Sequence, residues 1–150
     1  MALPILHITE KGQLALQTGG LAGWTLPVVE LASVLPAPPD YQAVIGDFTL
    51  MSYTGYGHDT LTLTGGYVDP GTSMAYALSN LLVFEGPTSG AGGNALGFVI
   101  QNSSTHDVWA WGSFSVAKQE NVPTDVVAFE LVLAEDLSWQ VIEITPPGLA

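Results

Sequence analysis

Three histidines carry the widest chemical reach in this chain: His7, His58 and His106. Two of them precede an aspartate, as His58-Asp59 and His106-Asp107, a pairing that suits a metal ligand or a general base with its orienting carboxylate. Adjacent residues on a strand, however, point to opposite faces, and both pairs fall where turns are expected and Asp serves local hydrogen bonding. Without a third ligand at useful spacing they predict turns, not a metal site. No segment reads G-x-S-x-G, and the Gly-rich stretch from Gly86 to Asn94 has no Lys with which to grip a phosphate. Glu130, Glu135 and Asp136 fit solvated strand ends better than paired catalytic carboxylates. The expectation is a non-enzymatic chain with no cofactor and no metal.

The aromatic residues are the other chemical resource. Trp24, Trp109, Trp111 and Trp139 stand beside five Tyr, and core packing is their first use. If the face carrying Trp109 and Trp111 is open, the two rings would form a contact surface for a glycan or a protein partner. Asn102-Ser103-Ser104 matches the N-glycosylation pattern, which matters only in a secreted eukaryotic product.

The elements that must position these residues read as β-strands. Candidates are Asp47 to Tyr53, Asp59 to Thr64, Leu81 to Phe84, Leu96 to Gln101, Val108 to Val116, Val126 to Ala134 and Trp139 to Ile144. Turn-forming residues separate most of them. Asn102 to Asp107 is a short polar turn between two strongly apolar runs, and predicts a hairpin. Strict alternation places Trp109, Trp111, Ser113 and Ser115 on one face and Val108, Ala110, Phe114 and Val116 on the other. Ile5 to Leu16, centred on Lys11-Gly12, suits a hairpin or an extended N-terminal arm. Pro36, Pro38 and Pro39 make Leu31 to Tyr41 an extended connector. A weak helix candidate covers Ser73 to Leu82. The fold class is therefore all-β, an antiparallel β-sandwich or jelly-roll-like barrel, with residues 1–35 as arm and first strands and 36–150 as the core.

Composition sets the outer bounds. The 150 residues are 47% hydrophobic and only 11% charged, with 17 Gly and 10 Pro and no Cys, which suits a compact, turn-rich domain that folds without disulfides. Lys11 and Lys118 face 14 acidic residues, for a formal net charge of −12. So few cations cannot neutralise a row of phosphates, and the acidity opposes anionic membranes, so neither nucleic acid nor membrane is an expected partner. Met1 to Leu6 lack a basic opening and a long apolar core, so no secretory leader is expected, and no apolar run approaches a membrane span.

The run Asp47 to Thr64, DFTLMSYTGYGHDTLTLT, resembles a segment of small structural proteins of tailed bacteriophages. Further pieces follow in that family's order: Leu82-Val83-Phe84, Leu96-Gly97-Phe98-Val99, Val108-Trp109-Ala110-Trp111 with Gly112-Ser113-Phe114, and Asp125 to Leu133. Together they span more than half of the chain. The region before Pro36 and the pair Gln101-Asn102 depart from the pattern. The resemblance implies a virion role, as a head decoration (cement) protein or a minor head or tail component. For a decoration protein it implies a homo-trimer made in the host cytoplasm and bound to the major capsid protein on the outer surface of the head. Pro4, Ile5, Leu6, His7 and Ile8 form an apolar segment able to add to a neighbour's sheet, or to serve as the first strand of this domain's own sheet. The alternative function is a carbohydrate-recognising tail, collar or spike module using Trp109 or Trp111.

Overall fold

The computed structural model describes residues 6–37, 41–68, 71, 75–134 and 139–144. In chain order its elements are β1 (Leu6–Ile8), α1 (Glu10–Gly19), a 3-10 turn (Gly20–Gly23), β2 (Pro27–Val34), a second 3-10 turn (Ile45–Asp47), β3 (Thr49–Leu50), β4 (Asp59–Thr60), β5 (Leu63–Val68), β6 (Ala75–Ser79), β7 (Leu82–Phe84), β8 (Asn94–Asn102), β9 (Val108–Gln119), β10 (Val127–Ala134) and β11 (Trp139–Ile144). Among the described residues the chain is mostly β, with antiparallel pairing throughout, as the alternation of apolar and polar residues predicts.

One sheet runs β1-β9-β8-β2-β3, with β4 also on β2; the other runs β11-β10-β6-β5, with β7 also on β10. The expected hairpin is there: β8 and β9 pair across the turn at Asn102 to Asp107, from Asn94↔Gln119 to Gln101↔Val108. Asn102 Oδ1 accepts from the amides of Ser104 and Thr105, closing that turn. The strand expected at Asp47 to Tyr53 is reduced to Thr49–Leu50 after a 3-10 turn, and Asp59 to Thr64 is split between β4 and β5. The helix candidate at Ser73 to Leu82 is overturned where it is described: Ala75–Ser79 is a strand whose β-compatible residues pair with both β5 and β10.

The N-terminal third departs most from expectation. Ile5 lies outside the described residues, but from Leu6 the segment is neither hairpin nor extended arm. Leu6, His7 and Ile8 pair with Gly112, Trp111 and Ala110 as the edge strand of the domain's own sheet. A helix follows, started by Thr9, whose Oγ1 accepts the Gly12 amide as an N-cap. Leu31 to Val34, read as part of a connector, belong to β2, which pairs with β8 over six residues and lies inside the sheet. Proline at its first position is compatible with a strand because no ladder bond is then lost within it.

A single core joins both sheets: Val29, Leu31, Phe98, Ile100, Ala110 and Phe114 from one, Ala77, Leu82, Phe84, Val127, Phe129 and Leu131 from the other. Phe129 is its aromatic hub, fully buried, with ring centroids 4.7 Å from Phe98, 5.3 Å from Phe114 and 6.2 Å from Phe84. Burial of four rings, each worth a few kcal/mol, makes this cluster a principal source of stability. The opposite face of the six-stranded sheet carries a second apolar cluster, in which Ala32, Val99, Val108 and Trp111 are covered by Ala43 and Phe48.

Candidate functional site

The residues expected to contact a partner are largely used inside the domain. Pro4 and Ile5 lie outside the described residues. Leu6 is buried in the core and Ile8 packs against it. His7 leans on Trp111 with ring centroids 4.5 Å apart, and burial pushes its pKa below the usual histidine range.

Trp109 and Trp111 correct the expectation of an exposed aromatic platform. Both are buried, at 8% and 1% exposure, and they lie on different sides of the sheet: Trp109 in the shared core, Trp111 in the outer cluster. The cause is a β-bulge. Ile100 and Gln101 are consecutive partners of Ala110 and Val108, so Trp109 is an extra residue that shifts the alternation by one. The bulge also exposes the Trp109 carbonyl to the start of α1, where it accepts the Thr9 amide at 3.0 Å. Thr9 Oγ1 donates to the neighbouring Val108 carbonyl at 2.6 Å. Asn102, the acceptor of the glycosylation pattern, is also buried, and its amide donates to the Thr25 carbonyl.

The two His-Asp pairs come apart in an informative way. Asp59 accepts from the amides of Thr60 and Val83, and Asp107 pairs with Lys11 at 2.8 Å and with Thr105. The Lys11 hydrogen bond holds the Asp107 carboxyl below its ordinary range. Both histidines instead converge on Glu30, a residue the spacing gave no reason to single out. His58 Nδ1 lies 3.6 Å from Glu30 Oε1, and the Glu30 side chain is only 14% exposed. His106 sits on the other side, its Nδ1 3.3 Å from the buried Gln101 Oε1.

Strand pairing explains the convergence. The outer edge of β2 is covered by β4 at Val28 and Val29 and by β3 at Ala32 and Val34, leaving Glu30 and Leu31 between them. The chain leaves the edge after β3 and returns before β4; on this excursion Tyr56 accepts the Leu31 amide at 3.0 Å and His58 arrives beside Glu30. Alternation turns Glu30 away from core residues Val29 and Leu31. Burial raises the Glu30 pKa, and the two imidazoles oppose that rise by favouring the ionised form.

Glu30, His58, His106, Gln101 and Ser103 form the polar part of a cavity of about 340 Å³, with Val28, Ile45 and Leu50 as its apolar part. A second depression of about 170 Å³ adjoins it through His106 and reaches Lys11, Tyr41 and Val44. Among the described residues no group of three or more His, Asp or Glu is arranged to hold a metal ion. The cavity therefore offers a largely buried carboxylate, two imidazoles and an apolar floor, an arrangement suited to binding.

In comparisons with known proteins, no family model, no curated protein and no solved structure matches this chain.

Proposed function

We propose that the chain is a non-enzymatic virion structural protein, a decoration protein that binds the outer surface of a tailed-phage head and stabilises it. In this reading the two sheets form a β-sandwich, the protein acts as a homo-trimer, and its partner is the major capsid protein. The observation that carries the reading is the order of the segments resembling phage structural proteins. Four of these contribute Phe84, Phe98, Phe114 and Phe129, which meet in one cluster at the centre of the core. The net charge of −12 supports it further, since a protein added outside a filled head has no use for affinity to nucleic acid. Attachment through Leu6, His7 and Ile8 is not part of the proposal, because these residues pair with β9. Nor is a glycan platform at Trp109 and Trp111, since both rings are buried.

The test is peptide mass spectrometry of purified particles, giving copies of this chain relative to the shell protein. Comparable copy numbers are expected. A handful of copies would move the protein to tail or collar, and complete absence would overturn the virion reading.

A further inference from the structure

We propose that the Glu30 cavity is a binding site for a basic side chain, arginine or lysine, presented by a partner protein. The inference concerns only what enters this cavity and stands whether or not the partner is a capsid.

The chemistry begins with Glu30. A carboxylate mostly withdrawn from water is costly unless a cation or several donors face it. Within hydrogen-bonding or ion-pairing reach the described structure offers it only His58, at 3.6 Å, beyond hydrogen-bond length and with a half-exposed side chain. The chain has few cations to spare: of its two basic residues, Lys11 is held by Asp107 at 2.8 Å, and Lys118 lies over the Phe114 ring at 5.9 Å. A second copy of an acidic chain with the same two lysines is a poor donor. The cation must come from a different molecule.

The surroundings select its form. Val28, Ile45 and Leu50 provide an apolar surface next to the carboxylate, suited to the methylene stem of Arg or Lys. Gln101, Ser103 and the two imidazoles add acceptors around the head group. A volume of about 340 Å³ is at the small end for ligand sites and suits one long side chain. A free small amine would use only this cavity, whereas the depression joined to it through His106 carries Tyr41 and Val44, both more than half exposed. Such a continuous surface suits a peptide segment, with its basic residue in the first cavity and an apolar neighbour against Tyr41 and Val44.

The groups that face Glu30 come from two separate segments. The titratable groups facing Glu30 are His58, from the segment before β4, and His106, from the β8–β9 turn; Tyr56 also senses the Glu30 charge. The remaining walls, Ile45 and Leu50, carry none.

The experiment uses the full chain, with imidazole NMR signals of His58 and His106 followed during titration. The probes are acetyl-Val-Arg-Val-amide, the same peptide with citrulline for arginine, and n-butylammonium chloride, all at constant ionic strength. Saturable shifts are expected with the arginine peptide at pH 7.5, with at least tenfold weaker binding for the citrulline peptide and for Glu30→Gln. Butylammonium is expected to move the same signals more weakly. Equal binding of arginine and citrulline peptides, or no saturable shift with either, would overturn the proposal; tighter binding of butylammonium than of the peptide would replace a protein partner with a small amine. The comparisons on the unaltered protein remain decisive even if Glu30→Gln fails to fold.

Discussion

Gly12 and Trp109 meet backbone to backbone: a Cβ on Gly12 would lie 1.9 Å from the Trp109 carbonyl oxygen. No side-chain rotation relieves such a contact, because the obstacle is the bulged main chain that also receives Thr9. Gly12→Ala would gain about 1 kcal/mol of helix propensity, but overpacking against a fixed backbone costs about 1–3 kcal/mol and occasionally more. Sterics should win. Urea unfolding of Gly12→Ala is expected to show a net loss of about 1 kcal/mol or more; an unchanged or raised midpoint would mean that α1 does not rest on β9 as described.

Two buried tryptophans make a matched pair for weighing a hydrogen bond. Trp24 Nε1 donates to the Gly12 carbonyl at 2.9 Å, whereas Trp109 Nε1 is buried with no partner among the described residues. Replacement by Phe removes comparable ring area at both sites, but deletes a made hydrogen bond in one case and an unsatisfied donor in the other. Trp24→Phe should therefore cost about 1–2 kcal/mol more than Trp109→Phe in chemical denaturation. The reverse order would place a bound partner on Trp109 Nε1.

Glu120 is fully buried, and burial pushes its carboxyl up to about 7, against the pull of the Tyr53 hydrogen bond. The Tyr53 hydroxyl lies 2.6 Å from the Glu85 carbonyl and 3.0 Å from Glu120 Oε2. Its single proton serves one acceptor, so a protonated Glu120 Oε2 can donate to Tyr53, which donates to Glu85, while Glu120 Oε1 has no partner among the described residues. The folded state then holds a proton that the unfolded state releases near pH 4.5, and the stabilisation present in acid is lost as pH rises toward 7 and beyond. The loss is on the order of 3 kcal/mol. Thermal melts of Glu120→Gln between pH 4.5 and 8 should decline less steeply than those of the unaltered protein and cross above them at high pH; parallel curves would show that Glu120 does not titrate in this window.

The later strands were legible because their apolar runs are long and bounded by turn residues, as at β8, β9 and β11. The N-terminal third was not. The helix from Glu10 to Gly19 carries Gly12 in its first turn, a residue that local propensity disfavours and that only contact with Trp109 explains. The faces of Trp109 and Trp111 were misassigned for a related reason: a one-residue bulge is invisible to a period of two. His58 and His106 drew attention through their Asp neighbours, which turned out to serve local turns. Glu30, the residue on which they converge, lies 28 positions from one and 76 from the other, and only the gap between β3 and β4 on the edge of β2 brings the three together. The resembling segments are placed by their phenylalanines in the core, so that pattern speaks first to folding and only through it to a virion role.

His106 is held at φ +62°, in the left-handed region that glycine occupies freely and a side chain does not. Its place in the tight Asn102 to Asp107 turn requires that conformation, with the His106 amide donating to the Asn102 carbonyl at 2.9 Å. The strain is on the order of 1 kcal/mol. In return the imidazole reaches the Gln101 side chain and lines both cavities. Glycine relieves the strain but leaves the unfolded chain more freedom, which offsets part of the gain. His106→Gly is therefore expected to keep or raise the melting temperature, by up to about 3 °C for a domain of this size, while weakening binding of the arginine peptide severalfold. A clear drop in melting temperature would mean that the imidazole contacts stabilise the turn by more than its backbone costs, and so that His106 belongs to the architecture more than to the site.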